Sequence, residues 1–188
     1  MIAALQMTSC ADVKRNLATA MQLIEQAAIA GAKLIVLPEN FAFMGANETD
    51  KFAVSETFGN GLIQEFLAQQ AKQYNIWLVS GSIPLQSENP QKVYNTCIVY
   101  NAEGKVAARY DKIHLFDAQV KPDVEVYEES KTIMAGNKIV VVDTPYGKLG
   151  LAICYDVRFP ELFRELLTQG AQIIAIPIAF TVKTGQAH

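Results

Sequence analysis

The chain has 188 residues, of which 51% are hydrophobic, and a formal net charge of −3. This composition is typical of a globular domain with a substantial core, and the absence of linkers, repeats and low-complexity segments predicts one domain over residues 1–188. The mildly acidic balance, without clusters of Lys or Arg, argues against nucleic acid or a membrane surface as a partner.

The N-terminal segment and the cysteines indicate a compartment. Residues 1–8 lack the basic start and the apolar stretch of an export signal, and no later segment is apolar enough to span a bilayer. Cys10, Cys97 and Cys154 are too few and too scattered for a disulfide framework, and their spacings suit no zinc site. We therefore expect a cytoplasmic protein with reduced thiols.

The first part of the chain alternates apolar strands with amphipathic helices. The pattern predicts strands over residues 2–7, 34–37 and 76–80. A first helix follows the first strand and ends at Gly31, and a second helix covers residues 61–74. The order is therefore βαβαβ.

Antiparallel pairing is predicted further along the chain. Strands over residues 93–100 and 105–110 flank a short turn, and strands over 138–143 and 148–153 flank another. Between the two hairpins, residues 111–137 show no sustained period. A loop of this length inside a domain is usually functional, and we expect an irregular loop there.

The last predicted elements follow Cys154. Pro160 suits the first turn of a helix that ends at Gly170, and residues 172–178 form another buried strand. Residues 181–188 come just after that strand end, where we expect an active-site loop. Helices that cover the outer faces of two stacked sheets would give a layered α-β-β-α arrangement.

Cys154 has the sequence context of a presented nucleophile. It follows the apolar run 149–153 and precedes a turn, residues 155–161, that opens a helix. A strand would deliver the thiol to its carboxyl end, and the N–H groups and positive dipole end of the next helix would favour the thiolate. A buried structural thiol is the alternative for a lone free cysteine.

Two other strand ends carry polar side chains. Glu39 follows the strand 34–37, and Lys112 follows the strand 105–110. Ligands of open α/β sheets lie outside the carboxyl ends of the strands, so a carboxylate, an ammonium and a thiol can meet there. Taken alone, Glu39 could simply cap the next segment, and Lys112 could be a solvated surface residue.

Three segments resemble the signature blocks of the nitrilase superfamily of carbon-nitrogen hydrolases. In the order of the family, they are LPEN at 37–40, YDKIHLFD at 110–117 and GLAICYDVRFPE at 150–161. The resemblance runs over the whole chain and implies an α/β fold, a four-layer α-β-β-α sandwich of the nitrilase (carbon-nitrogen hydrolase) type. It also implies a homodimer or a higher homo-oligomer.

The resemblance implies a catalytic Glu-Lys-Cys triad, which is Glu39, Lys112 and Cys154 here. Amide hydrolysis needs a nucleophile, a proton shuttle and a stabilised oxyanion. Cys154 would attack, while Glu39 would take the thiol proton or hold the proton of an existing thiolate–acid pair. Lys112 and the backbone N–H of Tyr155 would meet the oxyanion. No metal or organic cofactor is required.

A fourth catalytic residue is implied by the same resemblance. The family has a further carboxylate in a Glu-Ser pair downstream of the lysine, and Glu129 with Ser130 matches it. Glu129 would orient the lysine, the substrate or the water. The alternative is a solvated acidic patch, because Glu125 and Glu128 lie close by in the sequence.

Several segments most resemble the Nit branch of the superfamily, which includes omega-amidases and deaminated-glutathione amidases. They are residues 94–96, 112–117 and 179–188, whereas residues 38–43 and 158–160 lean toward the deaminated-glutathione group. The implied substrate is a small-molecule amide. Members of the family continue beyond the point where these residues end, so the resemblance implies that the C-terminal portion of the fold is missing.

Other functions fit some of the same residues. Nitrile hydrolases and acyltransferases use related thiol chemistry, and a truncated homologue could be catalytically silent and serve assembly or binding. His114, on the same side of an extended chain as Lys112, could form a Cys-His pair or could be a structural residue of the loop. Cys97 shares a strand face with Val93 and Val99, which predicts core packing.

Overall fold

The computed structural model describes residues 1–119, 126–180 and 185. Its α-helices are α1 Val13–Ile29, α2 Leu62–Tyr74 and α3 Pro160–Thr168. Its strands are β1 Ile2–Ala4, β2 Leu34–Val36, β3 Trp77–Val79, β4 Ile83–Gln86, β5 Val93–Tyr100, β6 Val106–Asp111, β7 Asp117–Gln119, β8 Val126–Glu128, β9 Val141–Thr144, β10 Gly147–Leu151 and β11 Ile173–Ala175. Within these described residues, no helix is both long and apolar enough to cross a bilayer.

The larger sheet combines βαβ units with antiparallel strands. Its order is β1-β2-β3-β5-β4, and β6 also pairs with β5. The first three strands are parallel, as the predicted βαβαβ order requires, while β5 is antiparallel to its neighbours β3, β4 and β6. The sequence did not predict β4. Pro84 lies within it, and proline is confined to edge positions such as this one because it lacks a backbone donor.

A smaller sheet contains β10, the strand that precedes Cys154. Its order is β11-β10-β9, with β10 antiparallel to β9 and parallel to β11. The predicted hairpin around Gly147 is therefore confirmed. β1 and β11 are shorter than predicted, because the ladder with the neighbouring strand covers three residues in each.

The segment 111–137 is more regular than predicted. It contains the antiparallel pair β7 and β8 and a short 3-10 helix, Glu129–Lys131. Strands of three residues are too short to produce a periodic sequence pattern, which explains the difference. Residues 120–125 of this segment lie outside the described residues, as does most of the expected active-site loop, residues 181–184 and 186–188.

Three apolar clusters define four layers. Between the sheets, Leu34, Val79 and Val99 of the larger sheet pack with Leu149 and Leu151 of the smaller one. Helices α1 and α2 cover the outer face of the larger sheet, and α3 covers the smaller sheet near Ala152. The central strands β2 and β3 lie between a helix layer and the other sheet, which is why they are continuously apolar. The predicted α-β-β-α sandwich is confirmed.

Gly81 allows the chain to pass close to the segment that carries Glu39. Its φ is +66°, and a Cβ atom at this position would lie 1.9 Å from the carbonyl oxygen of Pro38. We expect Gly81→Ala to lower the free energy of unfolding by more than about 1 kcal/mol, because a left-handed conformation and a backbone clash act together. Urea unfolding measures this loss.

Gly31→Ala is the matched control. Gly31 also has a positive φ, +93°, but no atom lies within 4 Å of the added Cβ. Gly31→Ala therefore has only the conformational cost of a left-handed alanine. We expect it to lower the free energy of unfolding by less than Gly81→Ala does. Equal losses in the two variants would contradict the role assigned to the close approach at Gly81.

Candidate active site

A buried lysine lies between two carboxylates. The Nζ atom of Lys112 is 3.1 Å from Oε1 of Glu39, and it is 3.1 and 3.0 Å from the two carboxylate oxygens of Glu129. The side chains of Lys112 and Glu39 are 2% and 5% exposed, and that of Glu129 is 15% exposed. Burial opposes the charge on Lys112, but the two carboxylates outweigh it and raise the pKa above its ordinary value. Lys112 is therefore an ammonium.

The loop after β2 and two distant donors hold Glu39. Asn95 Nδ2 of β5 donates to Oε1 of Glu39 at 3.1 Å, and the backbone N–H of Ala179 donates to Oε2 at 3.0 Å. The next residue, Asn40, has a φ of +54° and donates its N–H to Oγ of Ser82. The carboxylate is thus fixed from both sheets.

Sequence reasoning did not identify Asn95 as a site residue. Asn95 is buried, with 4% exposure, in a strand that is otherwise mostly apolar. A polar side chain in the middle of such a strand is the signal that could have identified it, because buried polar groups need partners.

Glu129 belongs to the site and not to a solvated patch. It begins the 3-10 helix after β8, and its carboxylate also accepts a hydrogen bond of 2.6 Å from the N–H of Phe116. Its neighbour Glu128 is exposed and pairs with Lys131. Glu125, the third member of the expected patch, lies outside the described residues.

Cys154 lies on a sharp turn just after β10. Its φ is +46°, a left-handed conformation that is costly for a residue other than glycine, and its N–H donates to the carbonyl of Pro177 at 2.9 Å. The side chain is partly exposed. The strand-to-turn presentation is as predicted, but the next element is a 3-10 helix, Cys154–Arg158, and α3 begins only at Pro160.

The environment of the sulfur favours the thiol. Burial and the charge of Glu39 raise the pKa of Cys154 to about 12, although the Lys112 ammonium acts in the opposite direction. The sequence predicts that the helix dipole favours the thiolate, and in the free site burial and Glu39 act against that effect. A base must therefore remove the proton before the sulfur can attack.

The carbon-nitrogen hydrolase family model matches residues 1–188. The chain belongs to the carbon-nitrogen hydrolase family. It is 44% identical over 189 residues to the deaminated glutathione amidase of Synechocystis sp. (strain PCC 6803 / GT-S), covering 99% of this chain and 68% of that protein. The resemblance found from the sequence blocks is therefore confirmed.

Solved structures agree with this assignment. The C. elegans NitFhit protein superposes with a TM-score of 0.89 at 36% identity, over 100% of this chain and 45% of that one. A mutant amidase from Nesterenkonia sp. AN1 superposes with a TM-score of 0.81 at 28% identity, over 98% of this chain and 69% of that one. That structure shows the product of acrylamide addition at the active-site cysteine.

Tyr155, the residue after Cys154, has both a backbone N–H and an aromatic ring near the turn. The N–H belongs to the first turn of the 3-10 helix, next to the sulfur-bearing residue. The ring packs edge-on against Phe116 and Phe159, at centroid distances of 4.9 and 5.4 Å. The ring of Tyr155 therefore belongs to an aromatic cluster with Phe116 and Phe159.

His114 and Cys97, the two remaining candidates, make contacts typical of structural residues. His114 places Nδ1 2.7 Å from Oδ1 of Asp156, and its ring stacks on Phe159 with centroids 3.7 Å apart. This arrangement favours a structural histidine over a Cys-His pair. Cys97 is fully buried between the sheets, as predicted.

Among the described residues, no three His, Cys, Asp or Glu side chains are grouped to hold a metal ion.

The charges around Cys154 predict how its alkylation depends on pH. Glu39→Gln removes a charge that raises the thiol pKa, and Lys112→Met removes one that lowers it. At about pH 9, where alkylation follows the thiolate fraction, we expect iodoacetamide to modify Glu39→Gln faster than the wild type and Lys112→Met more slowly. Mass spectrometry of the peptide that contains Cys154 measures each rate.

The wild-type rate should keep rising with pH from neutral values upward, because the thiol pKa is about 12. A Cys154→Ala protein measures the background from the other two thiols. A rate plateau at neutral pH, together with slower alkylation of Glu39→Gln, would instead indicate a resting thiolate–acid pair.

Proposed function

We propose that this protein hydrolyses a small non-peptide amide through a thioester on Cys154, releasing ammonia and a carboxylate. The observation that carries the proposal is the buried ammonium of Lys112, which Glu39 and Glu129 hold and whose charge, with that of Glu39, acts on the sulfur of the partly exposed residue Cys154. A fixed positive charge beside a nucleophile and a base is the set of groups that acyl transfer needs.

The first half of the reaction forms the thioester. Glu39 takes the proton of Cys154 as the sulfur attacks the amide carbon, so that a C–S bond forms and the carbonyl electrons move to the oxygen. The Lys112 ammonium and the N–H of Tyr155 stabilise this oxyanion. When the tetrahedral intermediate collapses, the C–N bond breaks and the protonated Glu39 gives its proton to the departing ammonia.

The second half returns the free enzyme. Water attacks the thioester carbon, and Glu39 accepts a proton from this water. When this second tetrahedral intermediate collapses, the C–S bond breaks and the proton passes from Glu39 to the departing sulfur. The product leaves as the acid, which gives its remaining proton to the solvent and becomes the carboxylate. Glu129 keeps Lys112 charged and oriented in both halves, because its two oxygens contact Nζ at 3.1 and 3.0 Å.

The proposed substrate is a deaminated-glutathione-type amide or a similar ω-amide. The 44% identical Synechocystis relative is named a deaminated glutathione amidase. The active-site cysteine of the Nesterenkonia amidase supports Cys154 as the nucleophile. The aromatic rings of Tyr155 and Phe116 offer apolar surface for the chain that carries the amide.

Replacing the nucleophile should abolish the reaction. We expect Cys154→Ala to reduce ammonia release from deaminated glutathione by a factor on the order of 10³ or more, since loss of a catalytic nucleophile removes the covalent route. Cys10→Ser is the matched control, because Cys10 is also only partly buried. A coupled ammonia assay gives both rates, and a Cys154→Ala enzyme with unchanged turnover would refute the thioester mechanism.

The thioester itself should be detectable. Rapid acid quenching of the wild type with deaminated glutathione or a short ω-amide should leave an adduct whose mass is that of the substrate minus ammonia. Intact-protein and peptide mass spectrometry would place it on Cys154 and identify the accepted acyl group. An adduct on another residue would contradict the proposal.

A further inference from the structure

Asp156 is a completely buried carboxylate two residues after Cys154. Its oxygens make four polar contacts, two on each atom. Oδ1 receives the N–H of His114 at 3.0 Å and lies 2.7 Å from Nδ1 of the same residue. Oδ2 receives the hydroxyl of Tyr110 at 2.6 Å and the N–H of Ile153 at 2.8 Å.

These partners belong to the two segments that carry the reactive groups. Tyr110 and His114 lie two residues before and two residues after Lys112, and Ile153 immediately precedes Cys154. The hydrogen bonds to Tyr110 and His114 span 46 and 42 residues of sequence. One carboxylate therefore ties the lysine segment to the cysteine turn.

Both oxygens of Asp156 are needed as acceptors. Two of the partners are backbone N–H groups, which can only donate, and burial raises the pKa of Tyr110 so that its hydroxyl keeps its proton. These hydrogen bonds offset the cost of burying a polar side chain. An Asn side chain has one acceptor oxygen and cannot accept from all three donors.

Stacked rings join the same two segments beside this carboxylate. His114 stacks on Phe159 at 3.7 Å, and Phe116 packs against Tyr155 at 4.9 Å. Each pair has one ring from the segment after Lys112 and one from the segment after Cys154. The ring contacts and the hydrogen bonds of Asp156 therefore connect the same two segments.

We propose that Asp156 is a positioning residue whose buried carboxylate fixes the Lys112 ammonium relative to the Cys154 sulfur. This proposal rests on the function proposed above. An ammonium stabilises an oxyanion only where the oxyanion forms, and a displacement of 1 Å can cost about 100-fold in rate. Asp156 therefore acts through Lys112 and does not contact the substrate.

Asp156→Asn is the direct test. The amide replaces one acceptor oxygen with an NH₂ group, so either the N–H of Ile153 or that of His114 faces another donor. We expect kcat for amide hydrolysis to fall about 10- to 100-fold, with KM changed by less than about threefold, because substrate binding does not depend on this carboxylate. Asp143→Asn, the same change at an exposed position, should leave both constants unchanged.

A double-mutant cycle separates positioning from a general loss of stability. Cys154 alkylation at about pH 9 is measured in Asp156→Asn, Lys112→Met and the double variant. If Asp156 acts through Lys112, the single Asp156→Asn change slows alkylation several-fold, and adding it to Lys112→Met has no further effect. Additive effects, or wild-type alkylation and kcat in Asp156→Asn, would overturn the proposal.

The cycle does not need amide turnover, so it distinguishes the two proposals. Non-additive alkylation without any amidase activity in the wild type would defeat the proposed function and support the positioning role. If Asp156→Asn does not fold, Tyr110→Phe replaces it in the cycle, because this change removes one of the donors from the lysine segment. Additivity of Tyr110→Phe with Lys112→Met would then overturn the proposal.

Discussion

The buried ammonium of Lys112 is the constraint on which the rest of the site depends. An unpaired charge of this kind would cost several kcal/mol, and here Glu39 and Glu129 compensate for it from two other segments. The ends of β2 and β6 and the turn after β8 must therefore meet at one point. The six-stranded sheet brings the first two ends together, and the β7–β8 pair brings the third.

The same arrangement determines the state of the nucleophile. Burial and the charge of Glu39 raise the pKa of Cys154, and the Lys112 ammonium offsets them only in part, so the thiol keeps its proton in the free site. The carboxylate that opposes the thiolate is also the group best placed to remove its proton. Once the proton has moved to Glu39, this negative charge is neutralised and the lysine can stabilise the oxyanion.

Backbone geometry also shapes the site. Asn40 and Cys154 both have left-handed conformations, and each lies at or next to a proposed catalytic side chain. Surrounding hydrogen bonds maintain these conformations, because the N–H of Asn40 donates to Oγ of Ser82 and the N–H of Cys154 donates to the carbonyl oxygen of Pro177. The strain is stored where the chain must turn sharply to present a side chain.

The sequence by itself determined the alternation of strands and helices, both hairpins, the layered sandwich and the three blocks that contain Glu39, Lys112 and Cys154. These follow from periodicity, turn residues and local motifs, which neighbouring positions encode. Only the tertiary structure revealed the short strands β4, β7 and β8, the contacts of Asn95 and Asp156, and the raised pKa of Cys154. Burial and the charges of groups distant in sequence set these properties, and such contacts exist only after the chain has folded.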